Sequence, residues 1–271
     1  MIFKCPICRG ELSAAGGSAR CARGHSFDKS RYGYYNLLVG RGGAHGDNKE
    51  MVNARREFLS SGAYMPLALR VAALAAEHTP DGSVLLDAGS GEGYYTAAVR
   101  EALISSGKGC KVLAFDISRD AVRECARRGA ADEYAVASSY AIPLADTSVG
   151  CVINVFSPLA IDEMRRIIPA GGRFIMAIPG EEHLFGLKAK IYDTPYKNKV
   201  EDTEIEGFRL VGSECVRYPL VLDSAERVRS LFMMTPYAYR TGSEGRARVM
   251  ALDRLECEAH FIILVYEREG E

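Results

Sequence analysis

The chain has 271 residues, of which 48% are hydrophobic and 25% are charged, a composition typical of a globular protein and not of a disordered or collagen-like chain. Its formal net charge is −1, which excludes a uniformly basic, polyanion-binding protein. No apolar run reaches the roughly 18 residues of a membrane-spanning helix, and Cys5 lies where the apolar part of a secretion signal would begin. We therefore expect a cytoplasmic protein without a membrane partner.

The charges are unevenly placed along the chain. Residues 1–60 contain ten Lys or Arg against five Asp or Glu, a net charge of +5, and the rest of the chain has a net charge of −6. A positive segment on a negative body suits a polyanion that approaches from one side, and Arg55 and Arg56 are candidate phosphate contacts. Ordinary surface charge, with these arginines paired to Glu50 and Glu57, explains the same counts, so both interpretations stay open.

The first predicted element is a metal site. Two residues separate Cys5 from Cys8, three separate Cys21 from His25, and a polar, Gly-rich stretch suited to a hairpin joins the two pairs. Two close ligand pairs on separate turns are the pattern of a tetrahedral zinc site, and four protein ligands leave no open position for water. The spacing therefore predicts a structural zinc bound by Cys5, Cys8, Cys21 and His25.

The predicted zinc module occupies residues 1–35, and residues 36–271 form linker helices and one larger domain. A segment of about 35 residues buries too little core to fold alone, so metal binding would supply stability. The Gly-rich residues 39–48 predict a flexible loop or linker. Helical spacing follows over 49–60 and 64–77.

From residue 83 onward, short apolar strands alternate with helices. This alternation predicts a parallel, doubly wound α/β sheet. The predicted strands are 84–86, 111–115, 133–137, 150–155 and 173–178, and the predicted helices are 94–104, 119–128 and 162–168. After them, strands at 208–218 and 259–267 are separated by helices near 225–233 and 244–252. A closing strand pair after a parallel sheet is typical of Rossmann-like class I S-adenosylmethionine-dependent methyltransferases, which we take as the predicted fold.

A glycine-rich loop follows the first strand of this sheet. Gly89, Gly91 and Gly93 are spaced as G-x-G-x-G, whereas dinucleotide-binding loops use G-x-G-x-x-G, and Tyr94 stands where the last glycine of that pattern would be. Asp87, just before the loop, would lie badly beside a pyrophosphate and would suit the cationic amino group of a methionine moiety. The pattern therefore favours S-adenosylmethionine over a dinucleotide.

Later strand ends complete the predicted cofactor site. Asp116, at the end of the second strand, is placed to accept hydrogen bonds from ribose hydroxyls, as both ligand classes require. Ser138 and Ser139 lie in the connection that passes the adenine in this fold, although an ordinary surface loop is the alternative. Phe156, after the fourth strand, is either a platform for a flipped base or part of the core.

Motifs along most of the chain are shared with one family. The zinc motif, the Ala-Arg-Arg segment at 54–56 and the Pro-Gly-x-x-His-Leu segment at 179–184 together resemble the RlmA family, bacterial 23S rRNA guanine-N1 methyltransferases. The resemblance implies a homodimer whose zinc modules flank a cleft for a hairpin of 23S ribosomal RNA. It also implies that the residues contacting S-adenosylmethionine include Tyr64, Gly91, Glu92 and His183.

Transfer of a methyl group to guanine N1 is an in-line displacement from a sulfonium, in which alignment and exclusion of water are the main tasks. The sequence leaves the acceptor of the N1 proton unassigned, with Asp162 a candidate on position alone. Two alternatives stay open. One is a methyltransferase of small metabolites with zinc as a structural staple, and the other is a zinc-ribbon interaction protein that has lost catalysis.

Overall fold

A computed structural model describes residues 1–40, 46–200 and 203–270. The predicted loop at 39–48 lies partly outside the described residues, since 41–45 are not among them. The strands are β1 (Ser13–Ala15), β2 (Ser18–Arg20), β3 (Ser26–Asp28), β4 (Tyr35–Asn36), β5 (Val84–Ala88), β6 (Lys111–Asp116), β7 (Glu133–Val136), β8 (Cys151–Val155), β9 (Arg173–Pro179), β10 (Phe208–Leu222) and β11 (Leu255–Arg268). The helices are α1 (Lys49–Ser60), α2 (Met65–His78), α3 (Tyr94–Ser105), α4 (Arg119–Arg128), α5 (Ile161–Ile167), α6 (Phe185–Ile191), α7 (Ala225–Met234), α8 (Tyr237–Arg240) and α9 (Ser243–Met250).

The main sheet, traced over the described residues, has the strand order β10-β11-β9-β8-β5-β6-β7-β4. Strands β4 to β9 pair in parallel, and β11 joins β9 and β10 in antiparallel pairing. The predicted parallel sheet with a closing antiparallel pair is confirmed. Chain order reverses between β5 and β8, and ligands of open α/β sheets bind at the carboxyl ends of strands beside such a switch point.

The two faces of the sheet bury separate cores. Leu85 packs into the core formed with α1 to α4, while its neighbour Leu86 faces the opposite core, because successive side chains of a strand point to opposite faces. The second core also contains Phe3 and Leu12 of the N-terminal module together with Met164 of α5. The N-terminal module therefore covers part of a sheet face in the place of a helix.

Several elements differ from the sequence prediction. Strand β10 continues past the predicted end at residue 218 and includes Pro219, which an edge strand tolerates because its outer N–H groups need no partner. Helix α6 was not predicted. It begins after Leu184, which has φ +56° and makes no side-chain cap, so the sequence carries no start signal.

Among the described helices, no single one is both long and apolar enough to cross a bilayer. Helices α1 and α2, which are bent by 87° at their junction, reach the necessary length and apolar composition only when taken together.

Candidate metal and cofactor sites

The four predicted zinc ligands converge in the N-terminal module. The ligand atoms of Cys5, Cys8, Cys21 and His25 all lie within 4.8 Å of one another. Cys8 Sγ is 3.7 Å from Cys21 Sγ, and His25 Nδ1 is 3.3 Å from Cys21 Sγ and 3.5 Å from Cys5 Sγ. Tetrahedral zinc with its usual bond lengths separates two sulfurs by about 3.8 Å and a sulfur from a nitrogen by about 3.5 Å. The donor set and its spacing fit a structural zinc ion.

Two tight turns present these ligands. In the first, the backbone N–H of Cys5 donates to Gly10 O and that of Arg9, at φ +58°, donates to Cys5 O. In the second, the N–H of Gly24, at φ +85°, donates to Cys21 O. Glycine adopts this left-handed conformation without the steric cost that other residues carry. The predicted hairpin between the ligand pairs is β1 and β2.

The module is fixed to the main domain close to its cofactor edge. The N–H of Ile2 donates to both carboxylate oxygens of Glu133 at 2.9 and 3.0 Å. The N–H of Lys4 donates to Pro143 O at 2.8 Å, and β4 pairs with β7. Pro143 lies shortly after Ser138 and Ser139, so the zinc module is held beside the predicted adenine connection.

A cavity of about 830 Å³ lies at the carboxyl ends of β5, β6 and β8, within the usual size range of cofactor sites. Most of the predicted cofactor residues line it, namely Tyr64, Gly89, Gly91, Glu92, Asp116, Ser138, Ser139 and His183. Asp87 and Gly93 are not among the lining residues.

Asp87 lies beneath the glycine loop instead of in the cavity. Its side chain is 2% exposed and accepts a hydrogen bond from Thr96 Oγ1 at 2.5 Å. Burial, with the nearby charge of Asp116, raises the pKa of Asp87 to about 7. In the structure this hydrogen bond joins β5 to the start of α3, and a direct contact of Asp87 with the cofactor's amino group stays a prediction.

We expect Asp87→Asn to stabilise the protein at alkaline pH. The folded-state pKa lies above the unfolded value, so the wild type holds an extra proton between about pH 4 and 7 and loses stability as pH rises through this window. Asn keeps an acceptor for Thr96 and carries no charge. Thermal melts should show the variant melting about 5 °C above wild type at pH 8.5, with the gap closing toward pH 5. A difference in melting temperature between variant and wild type that does not change with pH would contradict the raised pKa of Asp87.

Two glycines of the loop are required by close approach. A Cβ on Gly89 would lie 2.0 Å from Ser157 Oγ, and one on Gly93 would lie 2.7 Å from Cys125 Sγ. Both glycines also have positive φ, +86° and +85°. Gly93 therefore allows α3 to pack against α4, and Gly89 allows the loop to approach Ser157. Gly89 and Gly91 are the loop glycines that line the cavity.

Asp116 ties the loop to the second strand. Its Oδ2 accepts from the N–H of Gly91 at 2.9 Å and its Oδ1 accepts from the N–H of Ser118 at 2.8 Å. Burial raises the pKa of Asp116, and these two backbone bonds oppose the rise. Each oxygen keeps a lone pair that a ribose hydroxyl can use.

Unsatisfied polar atoms mark the cavity wall. Among the described residues, the buried side-chain atoms without a hydrogen-bond partner are Ser90 Oγ, Glu92 Oε1, Tyr95 Oη and Thr241 Oγ1. The first three belong to residues that line the cavity, while the other carboxylate oxygen of Glu92 pairs with Arg128. A buried polar group that makes no hydrogen bond costs about 1–3 kcal/mol. These atoms therefore fit a cavity that receives a polar ligand such as S-adenosylmethionine.

His183 is a neutral hydrogen-bonding group. Burial, with the nearby charges of His260 and Lys188, lowers its pKa to about 3. Its Nδ1 accepts from the N–H of His260 at 3.3 Å, so Nε2 carries the proton and donates to Tyr64 Oη, also at 3.3 Å. Because both ring nitrogens make hydrogen bonds within the protein, His183 lines the site and does not act as a proton acceptor.

Phe156 belongs to the cavity and not to the core. It follows β8 with φ +57° and is 43% exposed. Its ring lies nearly parallel to that of His183, at 17° and 6.4 Å between centroids. A strained, exposed aromatic residue at a cavity is typical of a functional position. Asp162, the candidate base, is not among the residues that line the cavity. Its side chain is 90% exposed and pairs with Arg165, which does not favour a role as proton acceptor.

The arginines at 55 and 56 have different surroundings from those expected. Arg55 lines the cavity, pairs with Asp47 and donates to Met234 O at 3.4 Å. Arg56 pairs with Glu124 at 3.1 Å. Neither pairs with Glu50 or Glu57, and Arg55 faces the cofactor cavity. The contacts with Met234 and Glu124 join segments far apart in the chain, so no local sequence pattern shows them, whereas Asp47 lies only eight residues before Arg55.

Comparison with known proteins identifies the family. The N-terminal zinc-ribbon domain of RlmA matches residues 3–39, and a methyltransferase domain matches residues 86–176. A protein provisionally named 23S rRNA (guanine-N(1)-)-methyltransferase from Micromonospora griseorubida is 35% identical, over 92% of this chain and 91% of that protein. The chain belongs to the 23S rRNA (guanine-N1)-methyltransferase family.

Further comparisons agree with this family. The 23S rRNA (guanine(748)-N(1))-methyltransferase of Streptomyces fradiae is 32% identical over 92% of this chain and 90% of its own. A structure described provisionally as a type II methyltransferase from Anaeromyxobacter dehalogenans matches with a TM-score of 0.51 at 17% identity, over 75% of this chain and 97% of that one, which supports the fold alone. The methyltransferase domain implies S-adenosylmethionine as cofactor, and the zinc ribbon implies structural zinc.

Proposed function

We propose that the protein transfers the methyl group of S-adenosylmethionine to N1 of a guanine in a hairpin of 23S ribosomal RNA. The observation that carries the proposal is the pairing, in one chain, of a zinc ribbon with a methyltransferase cavity beside it. Two relatives that match 92% of the chain are named for this substrate and this atom. Bound S-adenosylmethionine supplies an electrophilic methyl group.

The cavity wall divides into three parts for the cofactor. Asp116 would accept hydrogen bonds from the ribose hydroxyls, and Ser138 and Ser139 would border the adenine. The backbone at Gly89 and Gly91 would lie against the methionine part. Tyr64, Glu92 and His183 close the remaining wall and exclude water, which strengthens every polar contact inside.

Phe156 is the proposed platform for the target base. A nucleotide acted on inside a folded RNA must leave its stack, and stacking on an aromatic ring replaces about 1–3 kcal/mol of the lost interaction. Phe156 follows β8, next to the strand that carries the glycine loop, and its ring is exposed in the cavity. A base stacked there would lie in the same cavity as the proposed methyl donor.

We propose residues 1–35 as the RNA-recognition module and residues 36–271 as the linker and catalytic domain. The net charge of +5 over residues 1–60 supports phosphate contacts that position the RNA. The family resemblance further supports a homodimer, with two zinc modules beside one RNA cleft. A ribosomal RNA substrate supports a cytoplasmic location for the enzyme.

The test is methyl transfer to an unmodified 23S rRNA fragment, followed by primer extension. We expect one stop, because a methyl group at N1 blocks base pairing, and its position shows whether the target is the guanine at 748 for which the Streptomyces relative is named. RNA affinity should fall steeply with salt, since phosphate contacts release counterions. The control fragment has adenine in place of the target guanine. If the wild type methylates no RNA but accepts a small metabolite, the metabolite alternative replaces this proposal.

A further inference from the structure

The hydroxyl of Tyr95 has no assigned role in the proposed cofactor site. Tyr95 lies in the first turn of α3 and lines the cavity. Its hydroxyl is buried and has no hydrogen-bond partner among the described residues. A hydroxyl in this state costs stability, whereas phenylalanine would fill the same space without that cost. The hydroxyl therefore points to a ligand that the enzyme binds during its reaction.

The surroundings of Tyr95 place this ligand on the substrate side. The other unpartnered atoms of the cavity wall, Ser90 Oγ and Glu92 Oε1, belong to the glycine loop itself. The ring of Tyr95 instead meets Phe156 edge-to-face, with centroids 6.3 Å apart at 74°. Tyr95 thus borders the ring on which the target base is proposed to stack, and its unpartnered hydroxyl is the candidate partner for the edge of that base.

We propose that the Tyr95 hydroxyl donates a hydrogen bond to O6 of the target guanine while the base stacks on Phe156. The inference rests on the proposed function and adds a catalytic residue to it. The edge of guanine at the reacting nitrogen offers O6 as an acceptor beside N1–H, so a donor at this place also selects guanine over adenine, which presents an amino group there.

The reaction shows why a donor at O6 matters. N1 of neutral guanine holds a proton, and its electron pair becomes nucleophilic as that proton leaves to water at the cavity mouth. The N1 electron pair forms the bond to the methyl carbon, and the carbon–sulfur bond breaks with its electrons going to sulfur. The sulfonium charge is thereby neutralised and one proton is released to solvent. As N1 loses its proton, negative charge develops on O6, and a fixed donor there stabilises the transition state more than the ground state.

Tyr95 is suited to donate and not to accept the proton. Burial, with neighbouring tyrosines such as Tyr94 and Tyr218, raises its pKa well above the usual value for a tyrosine. The phenol therefore keeps its proton over the working pH range. A neutral, buried donor close to developing charge needs little rearrangement during the reaction.

The decisive variant is Tyr95→Phe in the full-length, zinc-loaded protein. Loss of one such donor lowers kcat on the 23S rRNA fragment by about a hundredfold. KM for RNA should rise by no more than about fivefold, which corresponds to the loss of one neutral hydrogen bond in the ground state. The Kd for S-adenosylmethionine, measured by calorimetry, should stay within about twofold of the wild-type value. The variant should melt at or above the wild-type temperature, because an unsatisfied buried hydroxyl is gone.

The matched control is Tyr134→Phe. The Tyr134 hydroxyl accepts from the N–H of Ala131 at 2.7 Å, away from the cavity, so this variant should melt lower and keep the wild-type kcat. An unchanged kcat in Tyr95→Phe overturns the inference while leaving methylation by the wild type intact. A large loss of S-adenosylmethionine affinity with normal kcat at saturation also overturns it, because the hydroxyl then serves the cofactor. A wild type that methylates no RNA overturns the proposed function and, with it, the substrate of this contact.

Discussion

Cys8→Ala is expected to abolish zinc binding, from one ion per chain to none, and to loosen residues 1–35. The ligand atoms of Cys5, Cys8, Cys21 and His25 are within 4.8 Å, and removing one thiolate leaves three ligands where a structural site needs four. Strands β1 to β3 have three residues each and cannot hold their arrangement without the metal. Metal analysis by mass spectrometry and hydrogen exchange over β1 to β3 measure the two effects.

The loss should extend to the main domain. Phe3 and Leu12 share a core with Leu113 and Phe115 of β6, so a loosened module uncovers apolar surface on the sheet. We expect about 3–5 kcal/mol of lost stability, typical of a single site of large effect, and a melting temperature lower by about 10 °C. Cys215→Ala is the control, because Cys215 is exposed on β10 and outside the cluster. Full zinc occupancy in Cys8→Ala would refute the site.

Features set by local spacing were predicted well from the sequence. The zinc ligands lie in two short turns, and residues a few positions apart have few ways to be arranged. The G-x-G-x-G loop and Asp116 were likewise placed by the ends of two strands, and the structure brings them together through the bond from Gly91 N–H to Asp116. Strand alternation and helix spacing gave the parallel sheet for the same reason.

Features set by distant contacts were not predictable from one sequence. Arg55 donates to Met234 O and Arg56 pairs with Glu124, and both contacts follow from how α1 packs against other elements of the fold, which no local pattern encodes. Asp87 precedes the loop as expected, but the pleat of β5 turns its side chain beneath the loop and toward Thr96. From the sequence, Tyr95 is predicted only as part of a helix. Its proposed role as a donor to the target base depends on two structural facts, the unpartnered hydroxyl and the ring contact with Phe156.

Asp116→Ala is expected to weaken S-adenosylmethionine binding by roughly 30- to 150-fold, or about 2–3 kcal/mol. The carboxylate accepts from the N–H groups of Gly91 and Ser118 and is proposed to accept from the ribose hydroxyls, so its removal costs charge-assisted bonds to the ligand and loosens the loop. Calorimetry with S-adenosylmethionine measures the loss. NAD should give no binding heat with wild type or variant, because the loop has the G-x-G-x-G spacing and not the dinucleotide pattern.

Asp162→Ala is the matched control for Asp116→Ala. Both variants remove one aspartate carboxylate, but the Asp162 side chain is 90% exposed and pairs only at the surface of α5 with Arg165. Exposed ion pairs contribute little to stability, so this variant should keep the wild-type affinity for S-adenosylmethionine and the wild-type rate of methyl transfer. Loss of transfer in Asp162→Ala with normal cofactor binding would restore Asp162 as the proton acceptor. Tight NAD binding by the wild type, or equal cofactor affinities in wild type and Asp116→Ala, would contradict the cofactor assignment made from the glycine loop.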